Sequence, residues 1–135
     1  MSFKSGTRGS MSQKVKILLV EDQDINQIIA NSLLKKAGAE VDIAETGKIS
    51  LSKIQQNHYD LVLMDLGLPD TDGYQVTQEI RKLGNALNLI PIIAVTAHVD
   101  EESKKKAIQV GMNGFIEKPL DDNKIKDIFK RFLNQ

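Results

Sequence analysis

Apolar residues fall along this chain in two rhythms. Ile17-Leu18-Leu19-Val20, Leu61-Val62-Leu63-Met64 and Ile92-Ile93-Ala94-Val95 are unbroken runs, with the length and continuity of strands buried on both faces. Between such runs, apolar residues recur every three or four positions, the period of a helix that covers one face. The alternation of the two rhythms organises everything else that can be read from the chain.

In order, Val15 to Val20 predicts the first strand, which stops at Glu21-Asp22. Asp24, with Gln27 three positions on, predicts a capping-box helix start; Ile25, Ile28, Ile29, Leu33 and Leu34 follow at helical spacing until Gly38. Val41 to Ala44 predicts a short second strand, and Thr46 a cap for a helix reaching about Gln56, with Ile49, Ser50, Lys53 and Ile54 setting its faces. The third strand ends in Asp65. The turn formers of Gly67 to Gly73 follow it, then a helix over Tyr74 to Leu83 and a loop over Gly84 to Leu89. Ile90 to Thr96 predicts a fourth strand, with Pro91 in its first positions, where a missing N–H is tolerable. Asp100 caps a helix over Glu101 to Val110, ended by Gly111, and Gly114 to Glu117 predicts a fifth strand leading to Lys118-Pro119. In the last helix Ile125, Ile128, Phe129, Phe132 and Leu133 form a single apolar stripe.

Five strands alternating with five helices through short loops predict right-handed crossovers and an α/β fold: a three-layer, doubly wound, five-stranded parallel sheet. The strand order expected is 2-1-3-4-5, which sets the first and third strands side by side. Glu21, Asp22 and Asp65 then converge at the carboxyl ends of the strands, the edge where open parallel sheets bind ligands.

Composition narrows this picture. The 135 residues, 41% hydrophobic and 27% charged, suffice for one domain with a real core and are too few for two. Met1 to Ser10, polar and rich in glycine and serine, read as a vector-derived or disordered leader, leaving 11–135 as the domain, with Met11 a candidate natural start. The absence of cysteine excludes disulfides and thiolate–zinc sites and favours an intracellular, cytoplasmic setting. Eighteen basic and eighteen acidic residues cancel, so no global charge draws the chain to nucleic acid or to anionic lipid. No apolar run approaches the ~20 residues that span a bilayer.

The candidate chemistry lies at the strand ends. Three carboxylates brought together repel one another unless a hard cation or a shared proton relieves them. Oxygen ligands of this kind suit Mg²⁺ or Mn²⁺ and leave room for a phosphate oxygen. The fourth strand ends in a hydroxyl, Thr96, and the fifth leads into an ammonium, Lys118, on the same edge. Carboxylate, hydroxyl and lysine around a divalent ion are what a phosphoryl group needs. Taken singly, each residue has a plainer explanation: a turn cap for Asp65, a helix-dipole partner for Glu21-Asp22, a strand-end residue for Thr96, a solvated charge for Lys118. Their coincidence at one edge outweighs these. His58 and His98 lack paired ligand spacing, and Lys104-Lys105-Lys106 reads as a solvated helix face.

Val20-Glu21-Asp22, Leu63-Met64-Asp65 with Pro69 and Asp72-Gly73, Val95-Thr96-Ala97 and Lys118-Pro119 together resemble the receiver domain of two-component response regulators, a flavodoxin-like fold, over Lys14 to Gln135. The resemblance implies that Asp65 is the phosphoacceptor and that Glu21, Asp22, Asp65 and the Gly67 backbone carbonyl hold Mg²⁺. It implies that Thr96 and Lys118 engage phosphoryl oxygens, that Phe115 stands at the aromatic switch position, and that the peptide before Pro119 is cis. The donor implied is a histidine kinase or a histidine phosphotransfer domain, and the recipient a downstream protein or an attached kinase core. Target or dimer contacts are implied on the fourth helix, fifth strand and fifth helix. The chain itself would be a phosphoacceptor that promotes its own phosphorylation rather than an enzyme, working by a two-state shift of that surface.

Two features depart from the family pattern. Gly67 has no side chain where many members carry one that regulates water access, and Phe115 lacks a phenolic hydroxyl, so a switch there works by packing. The segment Glu21 to Gln27 resembles receivers of hybrid sensor kinases, while the chain's extent suits a stand-alone receiver. Other readings fare less well. A flavodoxin-like ligand module needs a phosphate-cradling loop where Glu21-Asp22 would repel an anion. A toprim-like nucleic-acid enzyme needs an Asp-x-Asp pair at the strand end, but Asp70-Thr71-Asp72 lies beyond it, and no basic surface or helix-turn-helix segment supports nucleic-acid binding. A phosphorylation-independent scaffold would have no use for a complete set of chemical positions.

Overall fold

The computed structural model describes residues 14–84, 87 and 89–133. The expected leader, the candidate start at Met11 and part of the expected loop before the fourth strand lie outside them. Ten elements alternate as expected: β1 (Lys16–Val20), α1 (Asp24–Lys36), β2 (Glu40–Ala44), α2 (Gly47–Gln56), β3 (Leu61–Asp65), α3 (Gly73–Lys82), β4 (Ile92–Thr96), α4 (Glu101–Val110), β5 (Gly114–Glu117) and α5 (Asp122–Leu133). The strands form one parallel sheet in the order β2-β1-β3-β4-β5.

Alternating side chains of each strand leave opposite faces of the sheet, so the apolar runs feed two cores at once. Leu18, Val20, Val62, Met64, Ile92 and Ala94 pack with Ile54 of α2, Val76 and Ile80 of α3 and Ala107 of α4. Ile17, Leu19, Leu61, Leu63, Ile93 and Val95 pack with Ala30 and Leu34 of α1 and Ile125, Ile128 and Phe129 of α5. This is why the central strands are hydrophobic without alternation: both faces are covered by helices.

The helix starts follow their caps. Thr46, Asp72 and Asp100 accept the N–H groups of Ile49, Gln75 and Ser103. Gly111, at φ 102°, closes α4 in the left-handed conformation that glycine adopts without strain. Asp72 moves the start of α3 to Gly73, one residue before the expected Tyr74, and β4 begins at Ile92, with Ile90 and Pro91 leading into it.

The largest correction concerns α1. Its N-cap is Gln23, which makes no side-chain cap bond, and Gln27 donates instead to the Glu21 carbonyl at 2.7 Å. The expected apolar stripe is also displaced: Ile25 and Ile28 are 72% and 68% exposed, Ile29 is exposed too, and the residues buried are Ala30 and Leu34. The small side chain of Ala30 lets the helix lie close on the sheet, and the three isoleucines face outward.

Candidate functional site

Asp65 ends β3 next to β1, because Val20 registers with Met64 across the ladder. One residue beyond Val20, Glu21 donates its backbone N–H to the Ala44 carbonyl (3.0 Å), so the end of β2 supports it from the other side. The Glu21 side chain turns inward. Its Oε2 accepts the Gln23 N–H at 3.1 Å, its Oε1 lies 3.1 Å from Lys118 Nζ, and the residue is only 3% exposed. Asp65 is 7% exposed; its Oδ1 accepts the Gly67 N–H at 3.2 Å and lies 3.8 Å from the same ammonium. Asp22 is half-buried beside them, and single oxygens of Glu21, Asp22 and Asp65 lie within 4.8 Å of one another.

Burial pushes the Asp65 carboxyl up to about 6; the Gly67 N–H opposes that rise, the charge of Glu21 adds to it and Lys118 opposes it. One ammonium thus pairs with two of the three acids, Glu21 and Asp65. Such a set is short of positive charge, and its hard oxygen donors fit a divalent cation of the Mg²⁺ class.

Thr96 ends β4 beside this cluster, since Asp65 pairs with Val95 in the ladder. Its hydroxyl accepts the His98 N–H at 3.2 Å and donates to the His98 carbonyl at 3.3 Å, closing a small turn. Lys118 follows β5 and is fixed by its own N–H, which donates to the Thr96 carbonyl at 2.7 Å. The Lys118–Pro119 peptide is cis. Phe115 is partly buried, packed on the core under α2, α3 and α4. Gly67 is exposed in the loop after β3, a loop held by a bridge to Asp72 and by the Gly73 N–H donating to the Leu66 carbonyl at 3.1 Å. A Cβ on Gly73 would stand 2.5 Å from the Asp65 carbonyl oxygen, so the loop can close this tightly over the strand end only without one.

A family model for the response regulator receiver domain matches residues 17–130. The chain belongs to this family. It is 38% identical over 118 residues to the aerobic respiration control sensor protein ArcB of Escherichia coli (strain K12), a match covering 87% of this chain and 15% of that protein. The receiver domain is thus a small part of such relatives: the chain spans less than a fifth of the length of the curated sensor and histidine kinases it matches. Among solved structures it is similar to the receiver domain of the sensor histidine kinase PA1611 from Pseudomonas aeruginosa PAO1. That structure has a magnesium ion coordinated in its active site cleft; the match has a TM-score of 0.83, 32% identity, and coverage of 91% of this chain and 100% of the other. It is similar also to the chemotaxis protein CheY4 of Vibrio cholerae, with a TM-score of 0.84, 25% identity, and coverage of 89% and 99%.

Within this receiver domain the structure brings Glu21, Asp22, Asp65 and Lys118 into one cluster, with Thr96 at the end of the neighbouring strand. It leaves Phe115 on the far side of β5 from the α5 core, with β4 between its strand and that of Asp65. Three participants escaped the sequence reading. Gln27 holds the Glu21 carbonyl, His98 holds the Thr96 hydroxyl through its backbone, and Asp70 bonds the start of α2. Only the Gln27 spacing left a trace in the sequence, where it resembled a cap. Among the described residues, no helix is long and apolar enough to cross a membrane.

Proposed function

We propose that Asp65 accepts a phosphoryl group from a partner's phosphohistidine, or from a small acyl phosphate, and that the new charge switches the surface around α4, β5 and α5. The observation that carries this reading is the convergence of Asp65 with Glu21, Asp22 and Lys118 at one strand edge. With its carboxyl pushed up to about 6, Asp65 is mostly ionised at neutral pH, as a nucleophile must be.

In the transfer a carboxylate oxygen of Asp65 forms the new O–P bond while the donor's N–P or O–P bond breaks. The donor imidazole or acetate leaves with the bonding pair. Lys118 lies close enough to turn from Glu21 toward a phosphoryl oxygen, and the Gly67 N–H keeps the carboxylate oriented. Thr96 would exchange its bonds to His98 for one to the phosphoryl group, releasing the turn before α4. Phe115, with no hydroxyl, would respond by repacking. Glu21, Asp22, Asp65 and the Gly67 carbonyl would hold Mg²⁺, or Mn²⁺, which supplies charge neutralisation to the transferring group. The domain promotes its own phosphorylation in this way and is a switch rather than a turnover enzyme.

The exposed Ile25, Ile28 and Ile29 on α1 support a docking face for the donor, a histidine kinase or a histidine phosphotransfer domain. Ile29 also lines a groove with Ala30, Lys118, Pro119 and Leu120 that leads to Glu21. We place the domain in the cytoplasm, where a kinase core would meet it, either as a stand-alone regulator or within a hybrid kinase. Its output is a protein contact, or a dimer, through α4, β5 and α5.

The test is intact mass after incubation with acetyl phosphate, with and without Mg²⁺, on the wild type and on Asp65→Asn. A Mg²⁺-dependent gain of one phosphoryl group that the variant lacks is the expected result. A folded wild type that gains none from acetyl phosphate and none from a phosphohistidine donor would overturn the reading in favour of a scaffold.

A further inference from the structure

The ion site has two sides, Glu21-Asp22 after β1 and Gly67 after β3, and the structure joins them by a route outside the site. The Glu21 N–H donates to the carbonyl of Ala44, the last residue of β2. Two residues on, Thr46 opens α2, and the first N–H groups of that helix need acceptors. Ile49 donates to Thr46 Oγ1 and Ser50 to the Thr46 carbonyl, both local. Gly47 and Lys48 donate instead to Asp70, in the loop after β3: Gly47 N to Oδ1 at 2.9 Å and Lys48 N to Oδ2 at 3.0 Å. Asp70 therefore closes a ring that runs from Glu21 through the end of β2 and the start of α2 to the Gly67 loop.

The contact is close-fitted. A Cβ on Gly47 would lie 2.5 Å from Thr71 Cγ2 and 2.7 Å from Val76 Cγ2, so the loop reaches α2 only because that position is glycine. The Gly47 N–H, followed by that of Lys48 among the stabilising contacts, holds the Asp70 carboxyl below the usual carboxylate range, as expected of an acid serving as a helix cap. The other bonds of the loop, from Leu68 N to the Thr71 carbonyl and from Gly73 N to the Leu66 carbonyl, shape it internally. Among the described residues, Asp72 bonds only the start of α3, whereas Asp70 is the loop side chain that hydrogen-bonds an element other than the flanking β3 and α3.

We propose that Asp70 is a positioning residue for the divalent ion. Its two bonds to α2 hold the 66–73 loop, and with it the Gly67 carbonyl, at a set distance from Glu21 and Asp22. The proposal rests on the reading of Glu21, Asp22, Asp65 and Gly67 as the ion's ligands.

The experiment is an MgCl₂ titration of ¹⁵N-labelled metal-free protein, following the Gly67 amide, on the wild type, Asp70→Ala, Asp70→Asn, Gly47→Ala and Thr46→Ala. Thr46→Ala is the control, because it removes a cap of α2 without touching the loop. Asp70→Ala should weaken Mg²⁺ binding about 3- to 10-fold, less than the ~10- to 100-fold typical when a direct partner of a ligand is lost. Asp70→Asn, which retains one acceptor oxygen, should fall between it and the wild type, and Gly47→Ala should weaken binding with the carboxylate intact. Thr46→Ala should leave affinity unchanged even where it lowers the melting temperature. Unchanged affinity in Asp70→Ala, or equal weakening in Thr46→Ala, overturns the proposal. A wild type that does not bind Mg²⁺ overturns it together with the ligand reading, a failure distinguished by the flat titration of the wild type itself.

Discussion

Lys118 Nζ lies 3.1 Å from Glu21 Oε1 and 3.8 Å from Asp65 Oδ1, so the lysine pairs first with the glutamate and Asp65 is its more distant partner. Lys118→Met should leave three acids without a cation and lower stability at pH 7 by about 1–3 kcal/mol, short of the ~3–5 kcal/mol of a fully buried pair. Added Mg²⁺ should recover part of that loss. Thermal melts with and without MgCl₂ check this; a variant as stable as the wild type in metal-free buffer contradicts it.

Asp65→Asn should stabilise the metal-free fold at neutral pH. The native carboxyl, at about 6, lies above its ordinary value of 3.8, so the native state holds the proton more tightly than the unfolded chain. The stability that this proton contributes is complete below pH ~4 and is lost as pH rises through ~6. Asparagine removes the loss, for a gain of about 1–2 kcal/mol at pH 7, taking ~1.4 kcal/mol per pKa unit and discounting for solvent access. Urea titrations at pH 4.5 and 7.5 should show the difference between variant and wild type growing with pH; a constant difference would count against it.

Thr96→Ala should separate uptake from response. The hydroxyl is engaged with His98 in the resting turn, and losing one donor to a phosphoryl oxygen costs about 1–1.5 kcal/mol, or roughly tenfold in rate at most. The phosphorylated variant should nonetheless fail to shift the amide resonances of α4 and β5 that move in the wild type. Identical shifts in both proteins would remove Thr96 from the switch.

A paired substitution of Ile25→Asp and Ile28→Asp should leave stability nearly unchanged, because both side chains already face solvent. Transfer from a phosphohistidine partner should slow by about tenfold or more, equivalent to ~1.4 kcal/mol of docking energy. Transfer from acetyl phosphate, which needs no docking face, should be unaffected. Equal slowing with both donors would argue that α1 acts on the chemistry and not on docking.

Gly73→Ala tests the closure of the loop over Asp65. Its Cβ would meet the Asp65 carbonyl oxygen at 2.5 Å and Met64 Cγ at 2.9 Å, and backbone cannot retreat as a flexible side chain can. A loss of about 1–3 kcal/mol is expected from this overpacking, read as a lower urea midpoint. A wild-type midpoint would mean that the loop relaxes freely.

The fold was legible because its signals are local. A strand covered on both faces must be apolar at every position, and a helix between two strands must repeat its apolar residues at its own period. Ile17 to Val20 and Leu61 to Met64 satisfy the first condition, and Ile125, Ile128 and Phe129 the second. The acids at the strand ends were legible for the same reason: a carboxylate directly after a buried strand can stand only at its carboxyl end.

The isoleucines of α1 were misread because periodicity reveals that an apolar face exists, not what covers it. The sheet takes Ala30 and Leu34, and Ile25 and Ile28 are left to solvent. Sequence by itself determined the ten elements, their order and which acids reach the edge, all consequences of hydrophobic period and chain connectivity. Only the tertiary structure decided that Lys118 turns to Glu21, that His98 occupies the Thr96 hydroxyl and that Asp70 crosses to α2. Those are contacts between polar groups of different elements, or of a loop conformation, and polar partners are chosen by distances that exist only once the sheet has brought the strand ends together.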